Sequence, residues 1–174
     1  MSEKKTGGTL TSYLSFRLGE EMFSADVSKV LEILEMRAIT KVPRSPSYMR
    51  GVINLRGSVL PVLDTRIKFG MAATEDTVDT CIVVLNVIME GEPLTLGALV
   101  DSVEEVLELT EADIEAPPTI GSKFNPEYMH GMVKMDDSFI MVLNVDKVFS
   151  TDELVMVAET ADKVQSENAE TQLQ

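Results

Sequence analysis

Few side chains in this 174-residue chain could carry covalent or metal chemistry: one histidine, His130, and one cysteine, Cys81. A Ser–His or Cys–His nucleophile needs an imidazole beside it to take its proton, and that task would fall on His130 alone. Zinc sites draw on clustered Cys and His, which one of each does not supply. Gly19, Gly51, Gly57, Gly91, Gly121 and Gly131 stand singly, as turn and strand-start glycines do, and form no phosphate-cradling loop. Carboxylates are abundant, and Glu104, Glu105 and Glu108 read as the solvated face of a short helix. The expectation is therefore no catalytic residue, no metal, no cofactor, and a function in binding.

The elements that must position any binding surface come in two copies. Tyr48-Met49-Arg50-Gly51-Val52-Ile53, running on to Val62-Leu63-Asp64 and Phe69, aligns without gaps on Tyr128-Met129-His130-Gly131-Met132-Val133, Val142-Leu143-Asn144 and Phe149, at an offset of 80. Upstream, Phe23, Ala25, Val27, Val30, Ile33, Leu34 and Glu35 align on Leu96, Ala98, Val100, Val103, Val106, Leu107 and Glu108 at an offset of 73. One insertion near Asp113–Ser122 reconciles the two registers, and the repeat organises everything else. Each copy has about 65 residues and would bury only about 60% of its unfolded surface, so the copies are expected to share a core.

Leu14, Phe16 and Leu18 alternate with polar residues, the period of a half-buried strand. Glu20 turns the chain into a second strand from Met22 to Ala25. Asp26 reads as the cap of a short helix with Val27, Val30, Leu31 and Leu34 on one face, followed by a strand near Ile33–Ile39. Pro43 and Pro46 mark a loop over 41–48, and Gly51–Leu63 reads as a hairpin turning at Arg56-Gly57. Pro61 within its second arm suggests an edge strand or bulge. In the second copy Thr80–Met89 and Leu94–Val100 are strands, Asp101 with Glu104 reads as a helix cap, and strand signal resumes at Val106–Leu109. After a Pro117-Pro118 loop, a hairpin turns at Asp136-Asp137. Asp64–Phe69 and Asp146–Phe149 each read as a helical turn, and Leu154–Val164 as a terminal helix.

Many short strands with brief helices predict an all-β fold with short helices: two five-stranded SH3-like barrels packed side by side. The expected organisation is a leader over 1–11 and one domain over 12–158. Its subdomains fall near 22–79 and 80–150, with the N-terminal strand and C-terminal helix exchanged between them, and an acidic flexible tail follows over 159–174. Met22, Met89, Met132 and Met141 are expected in the core, whereas Met36, Met49 and Met129 border loops and are available to a partner.

Against 15 Lys and Arg stand 29 Asp and Glu, a net charge of −14. That balance argues against nucleic acid and anionic membrane, which recruit clustered cations. Cys81, in a run that reads as a buried strand, implies a reducing compartment. With no signal segment and no apolar run of about 20 residues, the expectation is a cytoplasmic protein without membrane insertion.

The stretch Val30-Leu31-Glu32-Ile33, Pro43, and Gly51-Val52-Ile53-Asn54-Leu55-Arg56-Gly57-Ser58-Val59-Leu60-Pro61-Val62-Leu63-Asp64-Thr65-Arg66 resembles the CheW family of bacterial chemotaxis coupling proteins. The resemblance continues through Gly97–Leu107 and the Tyr128-Met129-His130-Gly131 element, and covers about residues 12 to 158. Asp64-Thr65 departs from the commoner Asp-Leu. The resemblance implies a non-catalytic adaptor of two SH3-like barrels, sited at the receptor array beneath the inner membrane. There it would link the cytoplasmic tip of chemoreceptors (methyl-accepting chemotaxis proteins) to the regulatory domain of a CheA-type histidine kinase.

By resemblance, Glu32 and Arg56 are receptor-engaging positions, with Val30 and Ile33 on an adjoining apolar groove. An arginine at a hairpin turn presents a planar, multi-donor cation suited to a carboxylate on a receptor helix. Val30 and Ile33 read equally as core and as groove, and Gly51 and Gly57 as backbone requirements of strand start and turn. Two other readings stay open: a coupling module for a non-chemotaxis kinase pathway, and a small-ligand-binding or enzymatic double barrel. A CheV-like protein would carry a receiver domain beyond residue 160, and none is expected.

Overall fold

Among the described residues, ten strands and two single-turn helices follow the repeat. The first copy contributes β1 (Thr11–Leu18), β2 (Glu21–Asp26), β3 (Val30–Glu35), β4 (Met49–Leu55), β5 (Ser58–Asp64) and α1 (Thr65–Lys68). The second contributes β6 (Cys81–Met89), β7 (Glu92–Val100), β8 (Ser102–Leu109), β9 (Met129–Met135), β10 (Ser138–Leu143) and α2 (Val145–Val148). The structure, a computed structural model, describes residues 9–72, 74–116 and 126–149. The first eight residues of the expected leader, the Pro117-Pro118 loop, the terminal helix and the acidic tail lie outside the described residues.

The strands form two five-stranded sheets, ordered β3-β6-β7-β5-β4 (barrel I) and β8-β1-β2-β10-β9 (barrel II). Neither barrel is made by one copy. Barrel I takes β3, β4 and β5 from the first copy and the β6–β7 hairpin from the second, and barrel II receives β1–β2 in return. The seams are the two parallel pairs, β5 with β7 and β10 with β2, each joining strands of different copies. The sheets therefore do not divide the chain at residue 80, and what is exchanged is a whole hairpin rather than a terminal strand.

This exchange explains the burial of β1, where Tyr13, Leu14, Ser15 and Phe16 are all buried, not alternately exposed. Tyr13 points into barrel II with Leu107, Val133 and Val142. Leu14 and Phe16 point outward into a larger core between the barrels, shared with Phe23, Val83, Leu85 and Ala98. Barrel I has its own small interior, including Ile53, Leu60, Ile82 and Leu99. Met49 and Met129, expected to face a partner, are instead buried in the shared core. Each opens a strand rather than bordering a loop.

Two expected helices are strands. Asp26 does cap, accepting a bond from the Ser28 amide at 2.8 Å, but only for the single 3-10 turn Val27–Lys29. Val30–Glu35 then pairs antiparallel with β6. Apolar residues at 27, 30, 31 and 34 suit a helix by spacing, yet β-branched Val30 and Ile33 also suit a pleated edge, and the sheet partner decides. Likewise Ser102–Leu109 pairs with β1, and the Glu104 carboxylate accepts from the Ser102 hydroxyl at 2.6 Å.

Pro61 does not mark an edge strand, since β5 lies between β4 and β7. It pairs with Val52, whose amide and carbonyl bond Thr40 at 2.8 and 2.9 Å and so point away from β5. Proline thus sits where β4 asks for no donor, and β7 pairs only from Val62 onward.

Each barrel is closed by the chain leaving its edge strand. Beyond β3, Thr40 bridges Val52 of β4, and beyond β8, Glu115 bridges Met132 of β9. The residue before each bridge is a glycine, Gly51 or Gly131, at the repeat offset. A Cβ on Gly51 would lie 2.2 Å from the Thr40 carbonyl oxygen, and one on Gly131 2.5 Å from that of Glu115. Gly51 also has φ near +150, a conformation L side chains rarely adopt. Gly51→Ala and Gly131→Ala should each destabilise the protein by about 1–3 kcal/mol or more, as overpacking does. Urea unfolding followed by circular dichroism checks this, and unchanged midpoints would contradict the closure role.

Candidate functional site

The Asn54-Leu55-Arg56-Gly57 turn is built to project one cation. Arg56 and Gly57 both have positive φ, 51 and 88, the mirror-image turn whose twist suits a two-residue hairpin. The Asn54 side chain accepts from the Gly57 amide at 2.9 Å and holds the turn. Leu55 packs against the interior of barrel I, which leaves Arg56 outward with 69% of its side chain exposed. Gly57 is needed for its backbone angle, since a Cβ there would meet nothing within 4 Å.

The guanidinium of Arg56 donates to the carboxylate of Glu32 on β3. The two positions singled out in sequence are thus partners across 24 residues, one on the turn and one on the edge strand. Beside them β3 exposes Leu31 and Ile33, at 54% and 45%. Ile33 pairs with Val83, a residue of the inter-barrel core, so it extends that core outward onto the surface. Val30 is half-buried against the same core. Of the two apolar positions singled out in sequence, Ile33 is thus exposed and Val30 is half-buried. Leu31 was missed because a helical reading put it on a buried face; strand alternation next to Glu32 was the available signal.

The Asp64-Thr65-Arg66 segment has a different role. Arg66 is the largest fully buried side chain among the described residues, 1% exposed. Its Nε bonds Asp64 at 3.2 Å and its NH1 bonds Asp101 at 2.8 Å, with the Thr74 hydroxyl as a further partner. Asp64 also caps α1, accepting from the Arg66 amide at 3.0 Å. A guanidinium this deep needs such partners, because an unpaired buried charge is costly.

His130 is surface-exposed and lies 3.3 Å from Glu111. Burial is the main influence that raises the pKa of the Cys81 thiol above its ordinary value, with Asp79 adding to it against a lowering bond at Val103. Such a thiol stays protonated and poorly nucleophilic. Among the described residues no group of three or more His, Cys, Asp or Glu is arranged to hold a metal ion. No helix among them is long and apolar enough to cross a membrane.

A family model described as "CheW-like domain" matches residues 12–153. The chain belongs to the CheW family. It is 32% identical over 149 residues to the chemotaxis protein CheW of Treponema pallidum, covering 83% of this chain and 85% of that one. It is 35% identical over 140 residues to the chemotaxis protein CheW of Rhizobium meliloti, covering 80% and 88%. The crystal structure of the scaffolding protein TtCheW from Thermoanaerobacter tengcongensis matches with a TM-score of 0.73 at 30% identity, over 83% of this chain and 91% of that one. The CheW fold, with its two five-stranded sheets and few short helices, is that of the present chain.

Arg66 and Arg56 are expected to separate stability from surface chemistry. Arg66→Ala strands the buried carboxylate of Asp64 and the half-buried one of Asp101 and should cost about 3–5 kcal/mol, whereas Arg56→Ala breaks an exposed pair and should cost less than about 1 kcal/mol. Urea titrations of both variants test the contrast, and equal midpoints would refute it.

Proposed function

We propose that this protein is a non-catalytic cytoplasmic adaptor that couples chemoreceptor cytoplasmic tips to a CheA-type histidine kinase. The match to the CheW-like domain across residues 12–153 carries this reading, and the chemistry of β3 supports it. An amphipathic receptor helix would lay apolar residues on Leu31 and Ile33 against the rim at Val30, the helix-in-groove mode of recognition. Arg56 meets a receptor carboxylate. Glu32 holds the guanidinium in place beforehand, and because exposed ion pairs contribute little, exchanging one carboxylate for another costs little. The kinase regulatory domain docks elsewhere, on barrel ends that leave this face free. Signal passes because receptor and kinase are held in one relative geometry, with no reaction at the adaptor.

The test is capture of a soluble receptor-tip fragment and of a kinase regulatory domain, separately and together. The unaltered protein should retain both at once. Arg56→Glu sets two carboxylates against each other and repels the receptor's own, so receptor affinity should fall by at least about tenfold, with kinase-domain capture and the unfolding midpoint unchanged. Unaltered receptor capture by this variant would remove Arg56 from the site, and failure of the unaltered protein to retain either partner would sink the adaptor reading.

A further inference from the structure

The two barrels are fastened at two corners of opposite charge arrangement, built on the helical turns that the repeat relates. At the first, Arg66 on α1 of barrel I bonds Asp101 at 2.8 Å, and the other oxygen of Asp101 accepts from the amide of Gly19, at the turn of the barrel II hairpin, at 2.6 Å. Asp101 sits where the chain crosses from β7 of barrel I to β8 of barrel II. At the second, the repeat equivalent of Arg66 is Asp146 on α2. Its carboxylate bonds Lys29 Nζ at 2.9 and 3.1 Å and accepts from the amide of Ile88, in the barrel I hairpin, at 2.9 Å. Lys29 sits where the chain crosses from β2 of barrel II to β3 of barrel I. Cation and carboxylate have changed places, and each corner still ties a helical turn of one barrel to a hairpin of the other.

We propose that Lys29 and Asp146 are positioning residues for partner docking: through them barrel II sets the placement of the docking strand β3. Lys29 immediately precedes Val30, the first residue of β3, and Ile88 lies on β6, the strand paired with β3. One carboxylate of barrel II thus grips both the residue that leads into β3 and the strand on which β3 is paired. The apolar core between the barrels favours their association without fixing an angle, since burial is non-directional, whereas a two-oxygen grip on an ammonium and an amide is directional. The pair is part-exposed, 27% and 33% at the side chains, so it contributes little to stability and its loss acts on geometry.

This inference rests on the adaptor reading for its binding readout, and a second readout tests it independently. Lys29→Asp and Asp146→Lys each place like charges together, and each should weaken capture of a receptor-tip fragment by about tenfold while the far-ultraviolet spectrum stays that of the folded protein. The double variant restores the ion pair with its charges exchanged but leaves the Ile88 amide without its acceptor, since a lysine cannot accept, and should recover part of the lost affinity, binding more tightly than either single variant. Spin labels at the exposed Ser58 and Ser138, in a Cys81→Ser chain, should give one narrow inter-barrel distance for the parent and the double variant and a broadened one for each single variant. Lys29→Gln, which removes the charge without repulsion, should weaken capture less and serves if a reversal unfolds the chain. Single variants that bind and measure like the parent, or a folded double variant without recovery, overturn the proposal. A parent that captures no receptor fragment while the distances behave as described overturns the adaptor reading alone.

Discussion

Everything in this fold depends on the apolar layer between the two barrels. Each barrel encloses only a handful of side chains, such as Ile53, Leu60 and Ile82 in one and Tyr13, Leu107 and Val142 in the other. An interior of that size cannot support an independent domain. The larger core lies outside both barrels, where the outward faces of β1 and β2 meet those of β6 and β7 through Leu14, Phe16, Phe23, Val83 and Ala98. Because β1–β2 and β6–β7 are the exchanged hairpins, the same strands that complete each barrel also supply the layer that joins them. Closing the barrels and packing them together are one event, and neither copy of the repeat is a folding unit by itself.

Duplication fixed the backbone twice and left the side chains free to diverge. Strand closure over glycine is retained in both copies, as Gly51 beneath Thr40 and Gly131 beneath Glu115 show, because a carbonyl oxygen occupies the place of any Cβ. The hairpin tip is not so constrained. Arg56-Gly57 in the first copy becomes Asp136-Asp137 in the second, and the first residue of each pair keeps positive φ, 51 and 53. Asp137, unlike Gly57, has no positive φ, so the two tips differ in backbone as well as in charge, a cation on one barrel and carboxylates on the other. An adaptor gains from this, since two surfaces that differ in shape and charge do not compete for one partner.

Much of this was legible in the sequence, for physical reasons that differ by element. The repeat was visible because turns, closures and helical caps impose residue types at fixed intervals: the helical turns expected over Asp64–Phe69 and Asp146–Phe149 are α1 and α2, capped by the repeat-related Asp64 and Asn144. The hairpin exchange was not visible, because a strand's pattern records that it has a buried face and not which copy supplies its neighbour. Val30–Glu35 and Ser102–Leu109 were misread as helical in part, since caps at Asp26 and Asp101 are genuine acceptors that serve a 3-10 turn in one case and the Gly19 amide in the other. The pairing of Glu32 with Arg56 joins an edge strand to a distant hairpin turn, and spacing along the chain carries no trace of it. Spacing does not divide core from surface at Ile33 for a related reason: it lies opposite Val83 of the inter-barrel core and is itself exposed.

For an adaptor the quantity to control is the relative placement of its surfaces. Apolar packing supplies most of the energy that holds the barrels together, but it tolerates small rotations, and a rotation between barrels would move β3 relative to any surface on barrel II. Direction must come from polar contacts, and polar contacts between barrels are found at the corners where the chain crosses from one to the other. Arg66 with Asp101 and Lys29 with Asp146 occupy those corners. The repeat places Arg66 on one helical turn and Asp146 on the other, so the cation stands on the helical turn at one corner and on the crossing at the other. At both, a helical turn of one barrel is attached to a hairpin of the other, and that attachment supplies a direction that apolar packing does not.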